Sequence, residues 1–403
     1  MPFEANLLAL REGGKLIAII SLDWFFVSPG MRRRILDYCA GRLDEVNLMI
    51  AASHTHTSPN TDPAKSDFSQ VNSSYVAEVE EAVARKVAYA IDHGDWHPVQ
   101  LKFALEPCDC SIHRRRKILW PQRGRLRRMV AIHPNPDGPR DQELRLLRVE
   151  RADGAVLALL WGVSCHPTEW PLAGRLSSDF PGMVRDALRE KLGELLPILF
   201  LQGFCGDLRP PALGRWARRV TWRVRLILFL SSLVNGRFFA GWPEDGYMRW
   251  LDGIVRAASD AMDKSASQIT FVAGLTLTRI AAPLSSIGLS GPVEQLIFQR
   301  VDLGGQLQLI GVSAEVVWEY AEIVRQIARS GYVWPVGYID RVFGYLPTES
   351  MLPEGGYEVD GFLRKFSVTG DFLPNTEMVV RACFEQLLAS EGAGEDTAKA
   401  VRA

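Results

Sequence analysis

Cysteine is scarce in this chain, and its arrangement does not suit a cross-linked or redox protein. The six cysteines among 403 residues (Cys39, Cys108, Cys110, Cys165, Cys205 and Cys383) form no C-x-x-C pair. That leaves a disulfide scaffold, a thioredoxin-type motif and a zinc ribbon without their residues. No N-terminal stretch combines a basic start, a long apolar core and a small-residue cleavage site, so free thiols and a cytoplasmic location are expected. Cys108-Asp109-Cys110 alternates like a strand, which favours core packing over half a metal site. An excess of one charge is missing too. Lys plus Arg number 46 against 47 for Asp plus Glu, a balance that argues against a nucleic-acid partner. Internal repeats and low-complexity tracts are also absent.

What the chain does have is a series of apolar runs that end in metal-binding or acid–base side chains. Val46–Ile50 leads to His54 and His56 in Ala51-Ala52-Ser53-His54-Thr55-His56-Thr57-Ser58-Pro59. Read as a strand, it sends both imidazoles out of its carboxyl end on one face. Val156–Val163 delivers Cys165-His166-Pro167-Thr168, Leu196–Leu201 delivers Cys205-Gly206-Asp207, and Leu307–Val312 delivers Ser313-Ala314-Glu315. Strand carboxyl ends are where α/β enzymes gather a site. Helical patterns alternate with these runs: Gly30–Arg42, Ser74–His93, Pro181–Leu192, Asp252–Ser265, Glu315–Arg329 and Glu377–Leu388. The alternation predicts an α/β fold with a mixed sheet, and the β-rich runs of 268–312 predict an antiparallel section. Because the marked residues run from 54 to 357, dividing the chain would split the site. One domain over 1–390 is expected, followed by a frayed polar tail, 391–403.

In this order the segments resemble the neutral (non-lysosomal) ceramidase superfamily of zinc-dependent amidases. His54-Thr55-His56-Thr57-Ser58-Pro59 is similar to the family's HTHSGP. Cys165–Thr168 with Leu176–Gly182 is similar to its second histidine segment, and Cys205-Gly206-Asp207 to the segment after it. Val312–Val316 stands where the family has its PGEF-type glutamate, and Gly344–Glu358 resembles its paired-tyrosine segment. The resemblance implies a ceramidase-like catalytic domain with helices packed around the sheet and one zinc ion per chain. His54, His166, Glu315 and Tyr345 fall on the zinc ligands; His56, Arg114 and Tyr357 fall on catalytic positions. Arg114 is one of three candidates in Arg114-Arg115-Arg116. Two imidazoles, a carboxylate and a phenolate suit a borderline metal, and the cation would favour the deprotonated tyrosine. Arg114 and Tyr357 are then expected to face a developing oxyanion, with His56 as proton shuttle to the leaving nitrogen.

The chain also departs from the family. Gly206-Asp207-Leu208-Arg209 replaces its GDVS sequence, putting a guanidinium where a hydroxyl stood. Either Arg209 favours a substrate carboxylate or it forms a salt bridge in solvent. Against the family, Phe3–Leu10 resembles the second strand, and the expectation is a chain short of the family's first strand and C-terminal β-sandwich. Residues 213–239 form a basic, aromatic insert. It has three readings: a surface helix with its apolar side on the core and its arginines in water, a lid over the substrate channel, or a peripheral membrane contact. Asp23, Asp179 and Asp207 are candidates for orienting metal-bound histidines or for turns. His93, His97, His113 and His133 read as surface or structural.

The expected activity is zinc-dependent hydrolysis of a linear amide, an N-acyl amine or N-acyl amino acid carrying an apolar acyl chain or a carboxylate. Two alternatives remain: amide formation or acyl transfer at the same centre, and a non-catalytic, zinc-stabilised binding protein.

Overall fold

The computed structural model describes residues 2–122, 125–172, 174–193, 196–214, 221–265, 270–271, 274–328 and 331–389. Three sheets bring their apolar faces together. The first runs Ala5–Glu12, Lys15–Leu22, Leu48–Ala52, antiparallel and then parallel. The second has five strands in the order Thr270–Phe271, Gln100–Pro107, Glu143–Glu150, Val156–Gly162, Ile198–Phe200, with the last pair parallel. The third is Leu275–Pro283, Gln295–Leu303, Leu307–Val312, Tyr332–Val336, again parallel only at its last pair. Alternating side chains supply a shared core: Ile17 and Ile19 from the first sheet, Leu147 and Leu160 from the second, Leu307, Leu309 and Trp334 from the third. Each large aliphatic residue buried here contributes about 1.5–3 kcal/mol by transfer from water.

Helices cover the outer faces: α1 (Met31–Cys39) and α2 (Ser73–His93) on the first sheet, α3 (Asp179–Leu192) and α5 (Glu244–Ser265) on the second, and α6 (Glu319–Ile327) and α7 (Thr376–Ala389) on the third. Met31, Ile35 and Cys39 of α1 stand four apart, as a helix that buries one face requires. Between α3 and α5 lies α4 (Trp222–Asn235), which packs on the edge of a long hairpin, Ile112–Gln122 with Arg125–Asn135. The mixed α/β expectation matches this architecture. All six cysteines are buried free thiols.

Two local expectations change. The helix read over Glu315–Arg329 begins only at Glu319; Glu315–Val316 is instead a short strand, parallel to Tyr345–Leu346. The β-branched pair Val316-Val317 disfavours helix, and Asp207 Oδ1 accepts the Trp318 amide at 2.8 Å, holding the chain just ahead of the first turn. Arg329 lies outside the described residues. Cys108–Cys110, read as strand, follows the end of Gln100–Pro107 as a loop that buries both cysteines and exposes Asp109.

Candidate metal centre

Four strand carboxyl ends from three sheets lead into this region, and only one pair of them is parallel to each other. His54 follows Leu48–Ala52, His166 follows Val156–Gly162, Asp207 follows Ile198–Phe200 and Glu315 follows Leu307–Val312. His54 and His56 do not leave on a strand face, as their spacing predicted. The strand ends at Ala52, and His54 takes a left-handed backbone, φ 60°. Its amide donates to Trp24 O at 3.0 Å, while the His56 amide donates to Pro167 O at 3.2 Å. The turn still converges the rings, with the two Nε2 atoms 3.3 Å apart. Ring nitrogens of His54, His56 and His166 all lie within 4.8 Å of one another.

Glu315 Oε2 sits 3.3 Å from His54 Nε2 and 3.0 Å from His166 Nε2. The direct register of Glu315 with Tyr345 brings the phenol beside that carboxylate, and the two share a hydrogen bond. Gly206 makes room for this segment: a Cβ there would stand 2.6 Å from Glu315 O, so only glycine allows the approach.

The residues fit a cation on an observation independent of the resemblance. His54 Nδ1 lies 3.0 Å from Phe25 O and His166 Nδ1 lies 2.9 Å from Leu208 O. A carbonyl only accepts, so each Nδ1 carries a proton, and a ring that is neutral leaves its Nε2 bare. Burial, with Arg114 adding to it, pushes His166 down to about 4, so it is neutral at pH 7. The bare lone pair of His166 therefore faces a carboxylate oxygen, acceptor against acceptor, in a buried place. A cation between them removes the conflict. Burial and Glu315 raise the Tyr345 hydroxyl well above the usual phenol range, so it joins as phenolate only beside a positive ion.

His56 is the exposed member of the set. The protein around its ring, then His54 and His166, hold it well below the usual imidazole value. Among the described residues no carbonyl fixes its Nδ1, unlike the other two rings. Arg114 comes from the hairpin, where the register shifts between His113 and Arg115. This bulge turns Arg114 inward. Its Nε donates to Glu358 Oε1 at 2.8 Å, and its guanidinium lies 5.4 Å from the Tyr345 ring centre and 5.7 Å from that of Tyr357. Burial opposes its charge, but Tyr345 and Glu358 keep it firmly protonated. Arg114 Nη2 is buried without a hydrogen-bond partner. Arg115 also binds Glu358, through Oε2 at 2.9 Å, whereas Arg116 reaches Pro134 O at 3.2 Å.

Arg209 is ion-paired with Glu169 and lies 4.3 Å over the Phe239 ring, so its charge is matched inside the protein rather than in solvent. None of the three candidate aspartates orients a histidine of the centre. Asp23 accepts from Arg185 and the Glu4 amide, Asp179 from Tyr247 and the Phe180 amide, and Asp207 faces His113 and Trp318. Main-chain carbonyls take that place. His113 and His133 are buried, not surface, histidines.

Two contributors escape the sequence reading. Glu358 clamps Arg114 and Arg115, and Tyr338 stacks on His54 at 4.3 Å while its hydroxyl donates to Glu315 Oε2 at 3.4 Å. Tyr338 follows the apolar run Tyr332–Val336, the same signal that marked the other strand ends.

No protein-family model and no curated protein matches the chain. Solved structures do. Neutral ceramidase from Pseudomonas aeruginosa superposes with a TM-score of 0.67 at 15% identity, over 95% of this chain and 68% of that one. A ceramidase complexed with C2 gives 0.69 at 14% identity, over 95% and 69%. The chain has the neutral ceramidase fold. On that fold the centre sits where the strand ends meet, and no helix among the described residues is long and apolar enough to cross a membrane.

Proposed function

We propose that this chain is a zinc-dependent hydrolase of a linear amide, an N-acyl amine or N-acyl amino acid, with His54, His166, Glu315 and Tyr345 as metal ligands. The supporting observation is the pair of imidazole nitrogens, that of His166 bare, aimed at one buried carboxylate oxygen. Zinc bound there would supply Lewis acidity for the amide carbonyl and acidify a water. The chain's own groups perform the remaining work. Arg114 Nη2, charged and without a partner, donates to the oxygen that gains negative charge as the carbonyl is attacked. Tyr357, beside Tyr345 at 5.3 Å between ring centres, adds a second hydroxyl donor. Neutral His56 accepts a proton at the open side of the site and returns it to the departing nitrogen. Because Glu169 already answers Arg209, this machinery does not require a carboxylate on the substrate.

The test is metal content and N-acyl turnover for wild type, His56→Ala and His166→Ala. About one zinc per chain is expected in wild type and His56→Ala, and none in His166→Ala. Turnover should fall roughly 10²- to 10⁴-fold in His56→Ala despite retained zinc. Loss of zinc in His56→Ala would make that ring a ligand and end the shuttle assignment. A folded wild type that takes up no metal would end the enzyme reading.

A further inference from the structure

The insert helix leaves a large part of its apolar surface in solvent. In α4, Trp222 (70%), Leu226 (48%), Leu230 (54%), Leu233 (61%) and Val234 (69%) form one exposed helical stripe, and Val224 (42%) is exposed beside it. The buried positions include polar Ser232 and Asn235. Asn235 explains the orientation: its Oδ1 accepts the Leu119 amide and its Nδ2 donates to Leu119 O, both at 3.0 Å. This two-bond clamp fixes the helix to the hairpin edge with its apolar stripe outward. Of the three readings of 213–239, a surface helix that keeps its whole apolar side on the core does not account for this exposed stripe. Trp216, Arg218 and Arg219 lie outside the described residues.

The adjoining hairpin is exposed as well: on Arg125–Asn135, Leu126, Arg128 and Ile132 stand on one face and Arg125, Arg127 and Met129 on the other. The charge is one-sided. Neither 112–135 nor 209–242 contains any aspartate or glutamate; Arg114, Arg115, Lys117 and Arg209 pair with Glu358, Glu354 and Glu169 from elsewhere, whereas Arg125, Arg127 and Arg128 are exposed. Exposed apolar side chains gathered on two adjoining elements mark an interaction surface. Aliphatic residues and tryptophan edged by arginine, with no acid, match the acyl–headgroup boundary of an anionic bilayer.

We infer that α4 and the hairpin form a docking surface for an anionic membrane. The inference stands apart from the metal centre, but the two are joined in the fold. The hairpin that exposes Leu126 toward its tip carries Arg114 at its base.

The experiment is co-sedimentation of the full chain with vesicles of pure phosphatidylcholine and of phosphatidylcholine with phosphatidylglycerol, at low and high salt. Wild type should partition onto the anionic vesicles. The double variant Leu230→Asp/Leu233→Asp should lose at least about tenfold in partitioning. Arg127→Gln/Arg128→Gln should retain folding and lose most of the salt-sensitive part of binding. Zinc content and thermal midpoint report whether each variant is folded, and they stay unchanged if only the surface is altered. Wild type that ignores both vesicle types overturns the inference, as does equal binding by the folded aspartate variant. A concentration-dependent dimer dispersed by the same aspartates would assign the surface to a second copy and overturn it as well. A chain that binds vesicles yet holds no metal would keep this surface while the proposed activity falls.

Discussion

At the scale of single residues, two left-handed backbones serve the centre, His54 (φ 60°) and Tyr338 (φ 59°), and a third is Asp179 (φ 53°). Side chains other than glycine, asparagine and aspartate enter this region at a cost of order 1–3 kcal/mol, and here the entry turns rings into the site. Asp179 also yields a pH prediction. Burial raises its carboxyl to about 6, against hydrogen bonds from Tyr247 and the Phe180 amide. Its folded pKa exceeds the unfolded value, so the folded state binds an extra proton between about pH 4 and 6. Stability is therefore lost as pH rises through that window, by about 3 kcal/mol above it. Asp179→Asn keeps the acceptor and tolerates the backbone. It should be more stable than wild type by about 1–3 kcal/mol at pH 8, an advantage that disappears near pH 4. Urea denaturation at the two pH values decides this, and equal differences at both would refute it.

At the scale of elements, the site depends on short bridging contacts between sheets and helices. Asp340 is the clearest. It accepts from Arg32 of α1 at 2.6 Å and from Arg279 of Leu275–Pro283 at 2.5 Å, while its amide donates to Ile50 O at 2.8 Å. Asp340→Asn preserves the amide and tolerates the φ of 49°, but leaves two largely buried guanidinium groups without their counter-charge. A loss of roughly 3 kcal/mol in chemical denaturation is expected. A change under about 0.5 kcal/mol would show that solvent satisfies both arginines. The Glu319–Asp207 pair, where burial and Asp207 raise the Glu319 carboxyl, secures the segment between strand and α6 in the same way.

At the scale of the whole molecule, the centre draws its residues from parts of the chain as distant as 54 and 345. Metal binding should therefore hold the sheets together. A ligand that binds only the folded state at 100 times its Kd stabilises by about 2.7 kcal/mol. Zinc should raise the thermal midpoint of metal-stripped wild type by several degrees and leave His166→Ala unmoved. An equal rise in both would place zinc elsewhere.

Strand ends and donor types were legible in the amino-acid order alone. Apolar runs of four to eight residues can only be buried, and the residues after each run must emerge at a sheet end, so His54, His166 and Glu315 stood out. The hairpin bulge that aims Arg114, the register that sets Glu315 beside Tyr345, and the Glu358 clamp did not, because each is a contact between segments more than twenty residues apart. Helix boundaries at Glu319 and the rotation of α4 were hidden for the same reason. Periodicity marks an apolar stripe but not its direction. That direction is set by long-range packing, since the two hydrogen bonds between Asn235 and Leu119 fix which way the stripe faces.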